Sequence, residues 1–167
     1  MNIIQSRQSI RKYKEKKIEE EKIQELLKSA MQAPNAKNQQ PWEFIVVDDQ
    51  EKLKRMSKAS KGSWPLEKAP LAIVTIVKET DKSPHYREQD LSAATQNILL
   101  EAHRQDLGAV WIGCYPLEER TSLIKEVLSI PSPYEPFSVI ALGYPDETRT
   151  LQSRYKEELV HRNTWEK

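Results

Sequence analysis

Apolar residues recur along this chain at two spacings, and the spacings predict helices that alternate with strands. Three segments carry apolar residues three or four positions apart, the spacing of one helix face. The members are Ile23, Leu26, Leu27, Ala30 and Met31 in the first segment, Leu91, Ala94, Ile98, Leu99 and Ala102 in the second, and Ile124, Val127 and Leu128 in the third. The second helix is expected to span residues 85–105. Pro34 is expected to close the first helix, Gly108 to end the second, and Pro116 to lie in the first turn of the third.

Four shorter apolar runs predict the strands of one sheet. They cover residues 43–47, 71–77, 109–113 and 137–143. The second run is apolar and rich in β-branched residues, so it is expected to be a central strand covered on both faces. A polar helix is predicted between the first two strands, from Asp48 to about Ser60. Strands alternating with helices in this way indicate a three-layer α/β arrangement.

Length and charge narrow the class of protein. With 167 residues, a single domain with one hydrophobic core is expected. The net charge is +1, so no global field favours nucleic acid or an anionic membrane. No apolar run reaches the length of a membrane span and the first residues do not form a signal peptide, so a cytoplasmic location is expected.

Several common kinds of site are missing from the sequence. The four glycines are isolated from one another, so there is neither a dinucleotide-binding glycine motif nor a phosphate-binding P-loop. A nucleotide would have to be held mainly by side chains and ordinary loop amides. The three histidines show neither the spacing of a metal-binding pair nor the order of a catalytic triad, so no metal ligand is predicted and no histidine is assigned a catalytic role. Cys114 is the single cysteine, which excludes an internal disulfide.

Two polar stretches near the amino terminus carry the most specific chemistry. In the first, Arg7 and Arg11 flank Ser9, and rigid guanidinium donors beside a hydroxyl suit a phosphate ester. The two arginines would lie on one face if the segment were helical; alternatively, they belong to a solvated basic surface with the lysines that follow. In the second stretch, residues 33–42 form a loop rich in amides that suits the edge of a planar heterocycle. Its alternative is an ordinary helix-to-strand turn.

Together these stretches resemble the nitroreductase-like family of FMN-dependent flavoproteins. Its members open with R-x-S-x-R and continue with a loop similar to P-S-x-x-N-x-Q-P-W. The resemblance extends through Gly143-Tyr144-Pro145 to the closing segment 160–165, which is nearly the whole chain. It implies a three-layer α/β (α+β) fold with a mixed central sheet between helices, in an intertwined homodimer. Residues 144–167 would be an arm that wraps the partner; from the residues alone, a disordered tail is an equal alternative.

The resemblance also implies which residues bind FMN. They are Arg7, Gln8, Ser9, Arg11, Pro34, Asn35, Ala36, Asn38, Ile112, Gly113 and Arg154. The first four would contact the phosphate, the ribityl chain and the pyrimidine edge, and Arg154 the phosphate. The loop residues would reach into the partner's flavin site, and Ile112 and Gly113 would pass the reactive face. The family often has basic residues where Gln8 and Gln152 stand, so weaker FMN binding is expected.

Two further residues have competing interpretations. Trp64 can stack over a substrate or cover the core, and the sequence favours neither. For Cys114, a small buried packing residue is favoured over a redox role.

The function implied is an FMN-dependent oxidoreductase that takes electrons from NADH or NADPH. It would reduce a small nitroaromatic, quinone or similar acceptor by a ping-pong mechanism at the flavin, which carries the chemistry. One alternative is an FMN-binding redox sensor. Another is a different flavin enzyme on the same scaffold, dehalogenating or flavin-fragmenting, which would require a substrate lid that no long insertion provides.

Overall fold

The centre of the fold is a four-stranded sheet, seen in a computed structural model that describes residues 2–165. The strands are β1 (Trp42–Val47), β2 (Leu71–Val77), β3 (Gly108–Gly113) and β4 (Glu135–Gly143), in the spatial order β1-β2-β4-β3. All four predicted strands are therefore present. Glu166 and Lys167, the last residues of the predicted arm, lie outside the described residues, as does Met1.

The three pairings between these strands are antiparallel, where a mixed sheet was expected. Among the described residues, parallel pairing occurs as an isolated bridge between Ser9 and Ala109. The uninterrupted apolar run of β2 does not reveal strand direction, because helices cover both faces of this antiparallel sheet. A strand buried on both faces has the same composition in either orientation.

Five α-helices and several short 3₁₀ turns surround the sheet in the described part of the chain. The helices are α1 (Ile3–Ser6), α2 (Glu20–Met31), α3 (Gln50–Met56), α4 (Arg87–Arg104) and α5 (Glu118–Leu128). The 3₁₀ turns are Ala36–Asn38, Ser57–Ala59, Lys61–Glu67, Pro84–Tyr86 and Glu157–Leu159. The polar helix expected to reach Ser60 ends at Met56 and continues as a 3₁₀ turn, and α5 begins two residues after Pro116.

Alternate residues of β2 face two different helix layers, which gives the molecule three layers. Leu71, Ile73 and Val77 pack in one apolar cluster with α2 and α4. Ala72 and Val74 pack in the other with α3 and α5. This two-residue period is that of a strand with both faces covered, so the predicted three-layer arrangement is confirmed.

The segment of Arg7 and Arg11 is not helical, so the condition under which the two arginines would share a helix face is not met. Helix α1 ends at Ser6, Arg7 has the extended ψ angle of 130°, and the amide of Ile10 donates to the carbonyl of Ala109 at 3.0 Å. The two guanidinium groups are therefore not stacked one helical turn apart. Their segment runs beside the edge strand β3, a partner distant in sequence that local spacing could not reveal.

Gly108 has a different role from the expected one. Helix α4 ends at Arg104, and Asp106 takes the left-handed conformation with a φ of 59°. A Cβ at Gly108 would lie 2.6 Å from Cγ2 of Ile10. The glycine is needed because the amino-terminal segment passes so close to β3.

The tail after Gly143 lies on the surface with its apolar side chains exposed. Those side chains are Leu151, Tyr155, Leu159, Val160 and Trp165. Met31, predicted to lie on the buried stripe of α2, is half exposed. Within residues 2–165, no helix is long and apolar enough to cross a membrane.

Candidate functional site

A buried tyrosine fixes the segment that follows α1. The hydroxyl of Tyr13 donates to the carbonyls of Ile10 at 2.7 Å and Ala141 at 3.1 Å. Burial raises the pKa of Tyr13 far above its ordinary value, so the hydroxyl stays a donor. A Cβ at Gly143 would meet the Tyr13 side chain at 2.8 Å, so glycine is required there as well. The segment before Tyr13 is therefore held rigidly against β3 and β4.

A cavity of about 1030 Å³ lies between this segment and the tail. Its walls come from residues 4–11 on one side and 149–155 on the other. The side chains implied by the sequence that line it are Arg7, Gln8, Ser9, Arg11 and Arg154, joined by Gln152. The structure thus brings together residues that are more than 140 positions apart in the sequence.

The electrostatics of the cavity favour an anion. Arg7, Arg11, Arg149 and Arg154 all line it. The pKa of Arg7 is lowered, first by burial and then by the nearby charge of Arg154. Two guanidinium groups that repel each other in this way are stabilised when a negative group lies between them. With the Ser9 hydroxyl and the Gln8 amide alongside, the donor set fits a phosphate ester that carries further hydroxyl groups.

The amide loop is held in a strained conformation by a buried carboxylate. Lys37, Asn38 and Gln40 have φ angles of 51°, 50° and 48°, which non-glycine residues seldom adopt. Asp90, only 5% exposed, accepts from the backbone amide of Ala36 at 3.0 Å and from the side-chain amide of Gln39 at 2.6 Å. The loop is therefore more than a simple turn between α2 and β1.

The turn before Gln40 is closed by a further side chain. The Asn35 side-chain oxygen accepts from the backbone amide of Gln40 at 2.9 Å. Pro34 and Asn38 are exposed, whereas Asn35 and Ala36 are half-buried. None of these four residues lines the arginine cavity of their own chain within the part described.

The remaining candidates, Ile112, Gly113 and Trp64, are not among the described residues that line that cavity. Ile112 is buried in β3, and Gly113 is partly exposed; apart from Gly113 and its two chain neighbours, no described residue has an atom within 4 Å of where a Cβ would be. Gly113 therefore leaves open space beside its backbone, and its carbonyl accepts from Arg120 at 2.9 Å. Trp64 is 47% exposed, so part of its side chain is covered by the protein and the rest is accessible for stacking, and both interpretations of this residue stay open.

Cys114 has the environment of a packing residue. The side chain is 1% exposed, and burial raises the pKa of its thiol to about 11. A thiol with so high a pKa is a poor nucleophile at neutral pH. This agrees with the expectation of a packing role.

Three residues important for the geometry were missed in the sequence. Arg149 lines the cavity, and Asp90 and Glu147 accept hydrogen bonds from the backbones of the two polar stretches. The sequence could have indicated Arg149, because it lies five residues before Arg154 on the same tail. No comparable signal identified the two carboxylates, since their partners lie 54 and 136 positions away.

Comparison with known proteins agrees with this geometry. The model of the nitroreductase family matches residues 4–75 and 66–144. A provisionally named NADH dehydrogenase/NAD(P)H nitroreductase of Archaeoglobus fulgidus is 43% identical over 170 residues, covering 99% of this chain and 98% of that protein.

Solved structures show the same relationship. An FMN-dependent nitroreductase of Clostridium difficile is 36% identical with a TM-score of 0.91, covering 98% of each chain. A provisionally named NADH oxidase of Clostridium acetobutylicum is 47% identical with a TM-score of 0.94, covering 98% of this chain and 100% of the other. The chain therefore belongs to the nitroreductase family of oxidoreductases.

Proposed function

We propose that this protein is an FMN-dependent oxidoreductase that takes electrons from NADH or NADPH. It would pass them to a small nitroaromatic, quinone or similar acceptor. The observation that carries the proposal is the cavity where Arg7, Arg11 and Arg154 converge beside Ser9. The names of two relatives support it, since one specifies NAD(P)H and the other FMN.

Each wall of the cavity has a role in this proposal. Arg7, Arg11 and Arg154 would hold the FMN phosphate, because forked donors suit its oxygens. Gln8 and Ser9 would bond to the hydroxyl groups of the ribityl chain. FMN, when bound, supplies the electron transfer between donor and acceptor, so the protein needs no acid or nucleophile of its own.

The proposed working unit is a homodimer in which each site is completed by the partner. Pro34, Asn35, Ala36 and Asn38 would contact the partner's flavin, since this loop is well tethered but does not line the cavity of its own chain. Ile112 and Gly113 would lie along the reactive face. Residues 144–167 would be the arm that covers the partner, which accounts for the exposed apolar side chains of its described part.

A redox-sensing FMN protein without turnover is the second candidate. Gln8 and Gln152 favour this candidate, because each is neutral at a position where related sites often carry a positive charge. The weaker FMN binding expected from them suits a protein that releases its flavin. The two candidates differ in one measurable property. An enzyme oxidises NADH or NADPH continuously when acceptor is supplied, whereas a sensor stops after one equivalent per flavin.

The test combines a binding titration with steady-state kinetics. Arg7→Ala should weaken FMN binding about tenfold or more, because a hydrogen bond to a charged group contributes roughly 1.5–3 kcal/mol. Lys14→Ala is the matched control, since Lys14 is exposed and does not line the cavity. Equal FMN affinity in the two variants would contradict the site.

The kinetics address the reaction itself. Initial rates of NADH and NADPH oxidation with a quinone should give parallel double-reciprocal lines, the pattern expected when donor and acceptor use one pocket in succession. Intersecting lines would contradict the shared pocket, and absence of sustained turnover would favour the sensor.

A further inference from the structure

The two walls of the cavity are joined at Glu147. Its Oε1 accepts from the backbone amides of Arg11 at 2.6 Å and Lys12 at 3.3 Å. The side chain is only 17% exposed. One residue earlier, the amide of Asp146 donates to the carbonyl of Lys12 at 2.9 Å. The tail is therefore attached to the amino-terminal segment at two neighbouring residues. Asp146 binds Lys12, and Glu147 adds a bond to Arg11, a residue that lines the cavity.

Beyond Glu147 the tail forms the second wall with little support from its own chain. Among the described residues, 148–155 make no backbone hydrogen bond to the rest of the protein. Arg149 and Arg154 nevertheless line the cavity from this stretch. The place at which the tail leaves the amino-terminal segment therefore governs where these two cations lie.

Glu147 also orients one of those cations directly. The Arg149 guanidinium donates to Glu147 Oε2 at 3.2 Å and Oε1 at 3.5 Å. Burial alone would raise the pKa of the Glu147 carboxyl, but the hydrogen bonds from Arg11 and Arg149 lower it on balance. The group is therefore an anion at neutral pH, which makes it a strong acceptor for both partners.

We infer that Glu147 is a positioning residue for this cavity. Its carboxylate fixes the start of the tail against the Arg11 backbone and so sets the separation between Arg11 and the cations of the tail. A site whose donors are fixed in advance loses less free energy when it orders around a ligand. We call the hydrogen bonds from the Arg11 and Lys12 amides to Glu147 the tether. The tether is a property of the chain alone, whereas its consequence for FMN binding rests on the proposed function.

The opposite role for Glu147 is an internal anion that competes with phosphate. The two roles predict opposite effects of Glu147→Ala. Loss of a tether weakens FMN binding, whereas loss of a competing anion strengthens it, because Arg149 then becomes free to bind the phosphate. Asp146→Ala is the matched control: it removes the neighbouring acid, whose side chain makes no hydrogen bond or ion pair among the described residues.

The experiment measures two quantities on the full chain. In Glu147→Ala, amide hydrogen exchange at Arg11 and Lys12, followed by NMR, should be at least about tenfold faster than in the wild type. The dissociation constant for FMN should rise about tenfold. Asp146→Ala should stay within about twofold of the wild type in both measurements. Tighter FMN binding or unchanged exchange in Glu147→Ala would overturn the inference.

Two further outcomes distinguish a failure of the tether from a failure of the proposed function or of folding. If the wild type binds no FMN, the proposed function fails, while exchange at the Arg11 amide still decides the tether. If Glu147→Ala does not fold, Glu147→Gln decides, because it keeps a carbonyl oxygen but no charge. That variant should show exchange about threefold faster at Arg11 and Lys12, since neutral acceptors form weaker bonds; wild-type exchange would refute the inference.

Discussion

Cys114 follows directly on β3 and shows how burial can outweigh the other influences on a side chain, here the opposing charge of Arg120. The pKa of its thiol rises from an ordinary 9.0 to about 11 because the folded protein keeps water away from the charged form. The thiolate that reacts with alkylating agents is therefore scarce in the folded state at pH 8.

Cys114 should resist iodoacetamide at pH 8 in the folded protein and react once denaturant unfolds the chain. The same shift affects stability, because the folded state holds the thiol proton more tightly than the unfolded state. The contribution of the thiol to the free energy of unfolding is complete below pH 9. It falls by about 2 kcal/mol as the pH rises toward 11. Urea unfolding of the wild type and of Cys114→Ala across this range measures it. A pH-independent difference between the two proteins would contradict the prediction.

Side-chain chemistry could be predicted where residue type alone carries it. The donors of Arg7, Ser9 and Arg11 suited a phosphate ester or a solvated basic surface, and the family resemblance favoured the first. The structure places all three at one cavity. Asp90 and Glu147 were not identified, because a carboxylate that accepts from a distant backbone amide has no local pattern. Such contacts follow from the tertiary fold and can be recognised only once the two segments are seen together.

The loop between α2 and β1 is an element whose conformation depends on partners outside it. Left-handed residues other than glycine cost roughly 1 kcal/mol each, and Lys37, Asn38 and Gln40 are all of this kind. Asp90 offsets this strain through its bonds to Ala36 and Gln39. The loop is thus ordered by the first turn of α4.

Asp90→Ala should release this loop. We expect the free energy of unfolding to fall by about 2–4 kcal/mol, because a buried, charged acceptor of two hydrogen bonds is lost. Amide exchange at Ala36 should accelerate more than exchange in β2. Glu88→Ala is the control on the same turn of α4, and it should change stability by less than about 1 kcal/mol. Equal exchange at Ala36 in both variants would show that the loop holds its shape without Asp90.

The positions of helices and strands were predictable where the spacing of apolar residues and the length of the apolar segment indicate the same type of element. Helices α2, α4 and α5 and all four strands follow the apolar pattern, since each buries one face or two in the apolar clusters on either side of the sheet. The apolar pattern makes no prediction for the Arg7–Arg11 segment, which pairs with β3 and does not form a helix. There a long-range backbone partner outweighs local helical spacing.

At the scale of the whole molecule, the tail is a part of the fold whose apolar side chains are not buried by its own chain. Tyr155 and Trp165 are 74% and 78% exposed, and Leu159 and Val160 lie between them on the surface. One chain does not bury them, yet the sequence supplies more apolar residues than a solvated tail needs. This is the physical basis for the proposed arm, and the sequence could not distinguish it from disorder because the surface that would cover it is not local.

The intact protein should be a homodimer, and its stability should depend on concentration, because an arm buried in the partner is lost on dissociation. Light scattering of the FMN-loaded protein should give twice the chain mass. Truncation after Tyr155 keeps Arg149 and Arg154 but removes Leu159, Val160 and Trp165. It should weaken the dimer while leaving both walls of the cavity in place.

Truncation after Tyr144 should be more damaging, because it removes the entire second wall of the cavity as well as the arm. FMN should then be lost even at protein concentrations where the shorter truncation still dimerises. The comparison separates the two roles of the tail, since the first deletion tests its contact with the partner and the second tests its cations. A monomeric mass for the intact, FMN-loaded protein would exclude the shared site. A dimer that retains FMN after the longer truncation would show instead that the arginines of the amino-terminal segment suffice.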